Sequence, residues 1–312
     1  MSLMAAAWSL PSACSFPEYT TSAPVLDSDV PADVGRDVDA AEAEVPAGHD
    51  EDFDELSDSA DNCPNIPNKA QTVTGTSMAG DACKPDVAFI STPAVRLFFD
   101  PFTSMTSWMN VGTTGASFVL GDDADSIVGG NVTDLDVRYV YNNVGAGSSA
   151  VVSTAIMTFD EIPDTGGAGV ILRVSGGRFY ACLVGTAGVG LYLTDAACTG
   201  STVCKLSLVT LATAADGGII PAQVPLPADV SVAPGAAVGI RGSVTSGGVG
   251  PSAAQVECRV FDPKYPSTLF GDGTHAVRAT VTGTKWISTG EVGLAVKHAK
   301  VRFRSIDVLR GP

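Results

Sequence analysis

From residue 86 to residue 312 no segment holds a 3.6-residue period for more than two turns before a Gly or Pro interrupts it. Packed amphipathic helices, which need an unbroken apolar stripe, are thereby excluded. Strand signals recur instead, at spacings near ten residues: Arg96–Phe99, Ser117–Leu120, Asp136–Tyr141, Val151–Phe159, Gly169–Val174, Arg178–Val184, Gly190–Thr194, Cys204–Leu211, Ala237–Thr245, Gln255–Phe261, Ala276–Val281, Gly290–Val296 and Lys300–Val308. In the last of these, Val301, Phe303, Ser305 and Asp307 take one face, and Lys300, Arg302, Arg304, Ile306 and Val308 the other. Its first half therefore reads as half-exposed. Gly clusters such as Gly129-Gly130, Gly166-Gly167 and Gly247-Gly248 punctuate the runs. Short strands joined by turns in one block predict an all-β fold, an antiparallel β-sandwich jelly roll.

Charge divides the chain differently. Residues 1–85 hold 16 acidic and 3 basic side chains, whereas the remainder holds 18 and 15, within a formal net charge of −16. The body is nearly neutral and has no basic patch to meet phosphate, so nucleic acid is not an expected partner. No run of about 18 apolar residues is present to span a bilayer. Residues 15–49 are rich in Pro, Ala, Val and acids, with no aromatics beyond Phe16 and Tyr19. Repulsion among Asp27, Asp29, Asp33, Asp37, Asp39, Glu42 and Glu44 predicts an extended, disordered acidic linker: a spacer or a solvated tail.

Ahead of it, Met1 to Ala13 is apolar and ends in small residues, as an export signal does. Leu10-Pro11-Ser12-Ala13-Cys14 resembles a bacterial lipoprotein cleavage box, with Pro11 standing where Leu is usual and no basic residues in front. The resemblance implies an acylated Cys14 and an exported bacterial lipoprotein at the cell surface or outer membrane, touching membrane only through its lipid. Six further cysteines, paired, would also demand an oxidising compartment.

Residues 50–61 place carboxylates at loop positions 1, 3, 5, 9 and 12: Asp50, Asp52, Asp54, Asp58 and Asp61. Position 7, Leu56, offers a backbone carbonyl. This is the spacing with which an EF-hand-type loop wraps hard oxygens around Ca²⁺, the expected cofactor. Asn62-Cys63-Pro64, Gln71 and Gly80-Asp81-Ala82-Cys83 follow. Together, residues 50–83 resemble a thrombospondin type 3 repeat. The resemblance implies one calcium site and a Cys63–Cys83 bridge. Two positions depart from the family. Glu55 occupies loop position 6, where a Gly takes φ > 0, and Val73, Gly75 and Ser77 replace the second Asp run.

In the body, Leu97-Phe98-Phe99-Asp100-Pro101-Phe102, Trp108 and Phe118 resemble the first strand region of concanavalin A-like (LamG-like) jelly rolls. The segments Gly290-Glu291-Val292-Gly293-Leu294 and Phe303 to Val308 resemble their closing hairpin. The resemblance implies glycan binding on the concave sheet or at rim loops. Arg173, Tyr180, Tyr192, Arg241 and Trp286 are the candidate contacts. Cys182, Cys198, Cys204 and Cys258 allow three pairings; the short intervening loop favours Cys198–Cys204, leaving Cys182–Cys258.

Chemistry is harder to find. Glu161, Glu257 and Glu291 are each the lone Glu of a strand, whereas glycosidases need two carboxylates flanking the bond. Asp134 and Asp136 alternate correctly but read as a turn exit, and His275 and His298 lack partners at ligand spacing. The reading is therefore a leader and lipobox over 1–14, an acidic linker over 15–49, a calcium segment over 50–85 and a β-sandwich over 86–312. Its function would be to bind carbohydrate or a cell-surface protein. The alternatives are a polysaccharide hydrolase or lyase on the same fold, and a structural adhesin or spacer.

Overall fold

The computed structural model describes residues 49–84, 94–111, 118–123, 125–133, 137–142, 150–175, 178–196, 206–210, 213–215, 218–220, 223–245, 253–264, 276–282 and 287–311. The readings placed on the 1–14 leader with Cys14, on nearly all of the acidic linker, and on Asp134, Asp136, Cys198, Cys204, His275 and Trp286 lie outside these residues.

The strands are β1 (Val95–Asp100), β2 (Trp108–Val111), β3 (Phe118–Leu120), β4 (Ile127–Gly129), β5 (Val137–Asn142), β6 (Val151–Glu161), β7 (Gly167–Ser175), β8 (Arg178–Gly185) and β9 (Gly188–Ala196). There follow β10 (Leu206–Thr210), β11 (Thr213–Ala215), β12 (Gly218–Ile220), β13 (Gln223–Val224), β14 (Ala237–Thr245), β15 (Ala253–Phe261), β16 (Ala276–Thr282), β17 (Glu291–Lys297) and β18 (Lys300–Arg310). Each of the thirteen expected strands is present; the additional ones are two to four residues long, too short to show a period.

Two antiparallel sheets form the sandwich. Sheet I runs β16-β15-β14-β6-β18-β4-β3, with β1 also pairing β18; sheet II runs β10-β9-β8-β7-β17-β5-β2, with β13 added to β9. Between them Met157, Phe159, Val238, Ile240, Val301 and Phe303 of sheet I pack on Val170, Leu172, Tyr180, Leu191 and Leu294 of sheet II. Each such side chain contributes roughly 1.5–3 kcal/mol by leaving water. A disulfide joins Cys182 of β8 to Cys258 of β15, and so ties one sheet to the other. At one corner Asp100 accepts hydrogen bonds from Phe102 N and Trp108 Nε1, both at 2.7 Å, closing the turn after β1.

Strand β18 corrects the alternation read from its sequence. Its pairing with β6 shifts register between Phe303 and Ser305. This bulge inserts one residue and flips the following faces. Val301, Phe303, Ile306 and Val308 all enter the core, while Ser305 and Asp307 point outward.

The outward face of sheet I is covered by residues 49–84. Among the described residues this segment has no strand; its only regular element is a 3-10 turn at Asp81–Cys83, and a Cys63–Cys83 disulfide closes it. Its Cys63, Ile66, Ala79 and Cys83 form an apolar cluster with Val152, Ile156, Phe261 and Leu309 of the sheet. Polar ties surround the cluster. Asn65 Nδ2 donates to Thr154 O at 2.9 Å and Ser305 Oγ donates to Asn65 Oδ1 at 2.6 Å. Arg96 donates to Asn62 O and to Asp307, and Arg241 Nη2 donates to Cys83 O at 2.9 Å. Buried polar groups joined this way fix one docking geometry, because a shift would strand several of them.

Candidate metal centre

Asp50, Asp52 and Asp54 each offer a carboxylate oxygen, and these oxygens lie within 4.8 Å of one another. Local backbone hydrogen bonds aim them. Asp50 accepts from Phe53 N at 2.8 Å and Glu55 N at 3.0 Å; Asp52 accepts from Asp54 N at 3.2 Å; Asp54 accepts from Leu56 N at 2.9 Å. Short acidic side chains that bond their own backbone two to five residues on are what allow so tight a loop.

The loop winds through the left-handed region at Phe53 (φ 65) and Glu55 (φ 77). Loop position 6 thus takes a left-handed turn that favours Gly, here with a side chain that costs roughly 1 kcal/mol to hold there. Replacing Glu55 by Gly is expected to raise the thermal midpoint by about 2–4 °C. The exposed pair with Lys69 that is lost in exchange counts for little. A melt of Glu55→Gly at or below the parent would show that the strain is absent.

Asp52 is the centre of the constellation. It is 1% exposed, and its Oδ2 is buried without a hydrogen-bond partner. Burial, reinforced by the charges of Asp61, Asp54 and Asp50, pushes its carboxyl up to about 9. Hard oxygens crowded around an unpartnered buried acceptor are a donor set for a divalent cation, whose charge reverses that penalty.

The other expected ligands are placed as follows. Asp58 meets His49 Nδ1 at 2.5 Å and accepts from Glu51 N at 3.2 Å. Asp61 accepts from Cys63 N at 2.8 Å and from Gln71 Nε2 at 2.6 Å. Leu56 lies between Asp54 and Asp58 on the half-buried edge of the loop. His49, which sequence reasoning passed over, pairs with Glu51 at 3.0 Å and Asp58. Its imidazole rises to about 10, chiefly through the Asp58 hydrogen bond and then that to Glu51. A His one residue ahead of the loop was the only available signal.

Gln71 spans the loop exit, taking Asn62 N on its Oε1 while donating to Asp61. At Gly80 a Cβ would lie 2.0 Å from Asn62 Oδ1 and 2.6 Å from Cys63 Sγ, so the packing of Asn62 and the bridge leaves room only for Gly. Further along the segment, buried Lys84 Nζ sits 2.7 Å from Asp81, whose carboxyl falls to about 2, first through Lys84 and then through Thr74.

Of the candidate ligand contacts, three are framework residues. A register shift between Leu172 and Ser175, with Arg173 at φ 55, turns Arg173 inward, where its Nη1 donates to Ile287 O at 2.8 Å. Tyr180 is fully buried and its hydroxyl accepts from Ile287 N. Arg241 holds Cys83, as described above. Their burial removes all three from any binding surface. Tyr192 differs. It is half-buried and lines a cleft of about 260 Å³ at the sandwich rim with Asp164, Thr165, Gln223 and Lys297. His298 Nδ1 meets Thr165 Oγ1 at 2.7 Å beside this cleft. Glu257 is paired with Arg259 and Arg278, not with a second carboxylate.

No family model and no curated protein matches the chain. Solved structures give distant likenesses. One is a carbohydrate-binding module, CBM66, from Bacillus subtilis, at 13% identity over 64% of this chain and 92% of that one, TM-score 0.38. Another is a xylan beta-1,4-xylosidase from Bacillus halodurans C-125, at 12% identity over 67% of this chain but only 38% of that one, TM-score 0.40. A third is a protein of unknown function with a galectin-like fold from Bacillus subtilis, at 11% identity over 70% and 97%, TM-score 0.37. At such scores the architecture rests on the strand pairing itself.

Proposed function

We propose that this chain is an exported calcium-binding protein whose β-sandwich binds carbohydrate at the cell surface, anchored through a lipid on Cys14. The observation that carries the cation is the buried, unpartnered Asp52 Oδ2 beside Asp50 and Asp54. Those three side chains, the Leu56 carbonyl and water would supply the six to eight oxygens Ca²⁺ takes. The ion's work is structural: it neutralises the carboxylates and lets residues 49–84 lie on sheet I.

Two disulfides support an oxidising compartment. The rim cleft supports binding. It brings one aromatic ring, an amide, a hydroxyl, a carboxylate and an ammonium together, the kind of lining that fixes a small polar ligand. Calorimetric titration of the full chain with calcium tests the cation: the parent gives heat and Asp52→Asn gives none. A glycan array, read with and without chelator, tests the ligand class. Turnover of a polysaccharide panel that Asp134→Asn or Asp136→Asn abolishes would replace binding by catalysis.

A further inference from the structure

A larger cleft lies elsewhere, between the 49–53 stretch and the outward face of sheet I. It encloses about 620 Å³, within the usual range for ligand sites. His49, Asp50 and Phe53 form one wall; Asp125, Arg304 and Thr158 lie beneath; Asp262 and Lys264, just past β15, form the other wall. This cleft shares no lining residue with the rim cleft.

Three features set the cleft apart. Phe53 is 54% exposed although its backbone is held at φ 65, so both its ring and its main chain are in unfavourable states. Its described partner is Lys264, whose Nζ stands 5.0 Å from the ring centroid. Asp125 Oδ1 is buried without a hydrogen-bond partner; Arg304 Nη1 stands 3.6 Å from it, and His49 Nε2 stands 3.7 Å from Asp125 Oδ2. Finally, both acceptors and donors line the space. An anion entering would meet Asp50, Glu51, Asp125 and Asp262, and a cation would meet Lys264, Arg304 and His49. A polyhydroxylated neutral molecule suits such a lining, because each hydroxyl both donates and accepts and a sugar's apolar C–H face packs on an aromatic ring.

We propose that this cleft is a second ligand site, which takes a neutral oligosaccharide with Phe53 as its stacking platform. The proposal rests on the cation reading at one point: Asp50, a candidate ligand of the ion, also accepts the amide of Phe53 and so positions the platform. Binding here is therefore calcium-dependent, whereas binding at the Tyr192 cleft is not.

The test is calorimetry of the full chain against short cello-, xylo-, manno- and galacto-oligosaccharides, with calcium and with chelator. At least one sugar binds in calcium, and Phe53→Ala weakens it about tenfold, as the loss of one aromatic contact predicts. Chelator weakens it as much, and Tyr192→Ala leaves this component unchanged. A thermal melt establishes that Phe53→Ala is folded, and Lys264→Ala gives a second variant, on the facing wall, that also weakens the sugar. Equal affinity of Phe53→Ala and parent, or no binding by any of the four sugar classes, overturns the proposal. The two readings fail separately. Calcium heat with a silent Phe53→Ala removes the cleft and keeps the ion; loss of sugar binding in Phe53→Ala without calcium heat does the reverse.

Discussion

Chelating calcium from the full chain is expected to lower its thermal midpoint by about 5–10 °C. A ligand held at about 100 times its Kd stabilises the native state by about 2.7 kcal/mol. For a domain of this size each kcal/mol moves the midpoint by about 2–4 °C. The physical origin is the loop. Without an ion, Asp50, Asp52 and Asp54 repel one another across less than 4.8 Å, and Asp52 can relieve the repulsion only by taking a proton. The companion variant sets the sign. Asp52→Asn removes one of the three charges, so its midpoint should no longer respond to chelator, and without calcium it should melt above the chelated parent. Identical melts of the parent in calcium and in chelator would show that the segment is held by its bridge and its packing alone.

The second large effect concerns the other staple. Cys182→Ala with Cys258→Ala is expected to destabilise the sandwich by about 4–5 kcal/mol in urea titration, from the entropy released to an unfolded chain when a long loop is no longer closed. The bridge joins positions 76 residues apart, against 20 for Cys63–Cys83, and it connects two sheets where the shorter one closes a single loop. Both cysteines are fully buried, and a Cβ on Gly242 would lie 3.0 Å from Cys182 Sγ, so the interior is shaped around the bond. Such a loss is a large share of the roughly 5–15 kcal/mol of a typical domain. A change below about 1 kcal/mol would mean that the unfolded chain stays as compact without the bridge as with it.

Much of the architecture could be read from the chain because period and punctuation are local. Ala237–Thr245 has the same bounds in sequence and structure, flanked by Pro234-Gly235 and Gly247-Gly248. The strands that escaped, such as Ile127–Gly129, are too short to carry a period and exist because β18 offers them an edge. The bulge at Phe303–Ser305 escaped for another reason. It leaves the composition of the strand unchanged and is fixed by the partner β6, not by anything local. The carboxylate ladder was legible because Asp50, Asp52 and Asp54 are neighbours in sequence. Arg173, Tyr180 and Arg241 were misplaced because residue type reveals chemistry and not the side of a sheet. Nor could spacing tell that Asn65 would find Ser305 and Thr154, since those contacts cross 240 and 89 residues.

The lid on sheet I bears on how this molecule can be cut. A fragment beginning at residue 94 would keep every described strand yet lay bare Val152, Ile156, Phe261 and Leu309, an oily plate that water would drive against a second copy. A fragment ending at residue 84 would lose the floor under Ile66. Expression trials should therefore treat His49 to Gly311 as one piece.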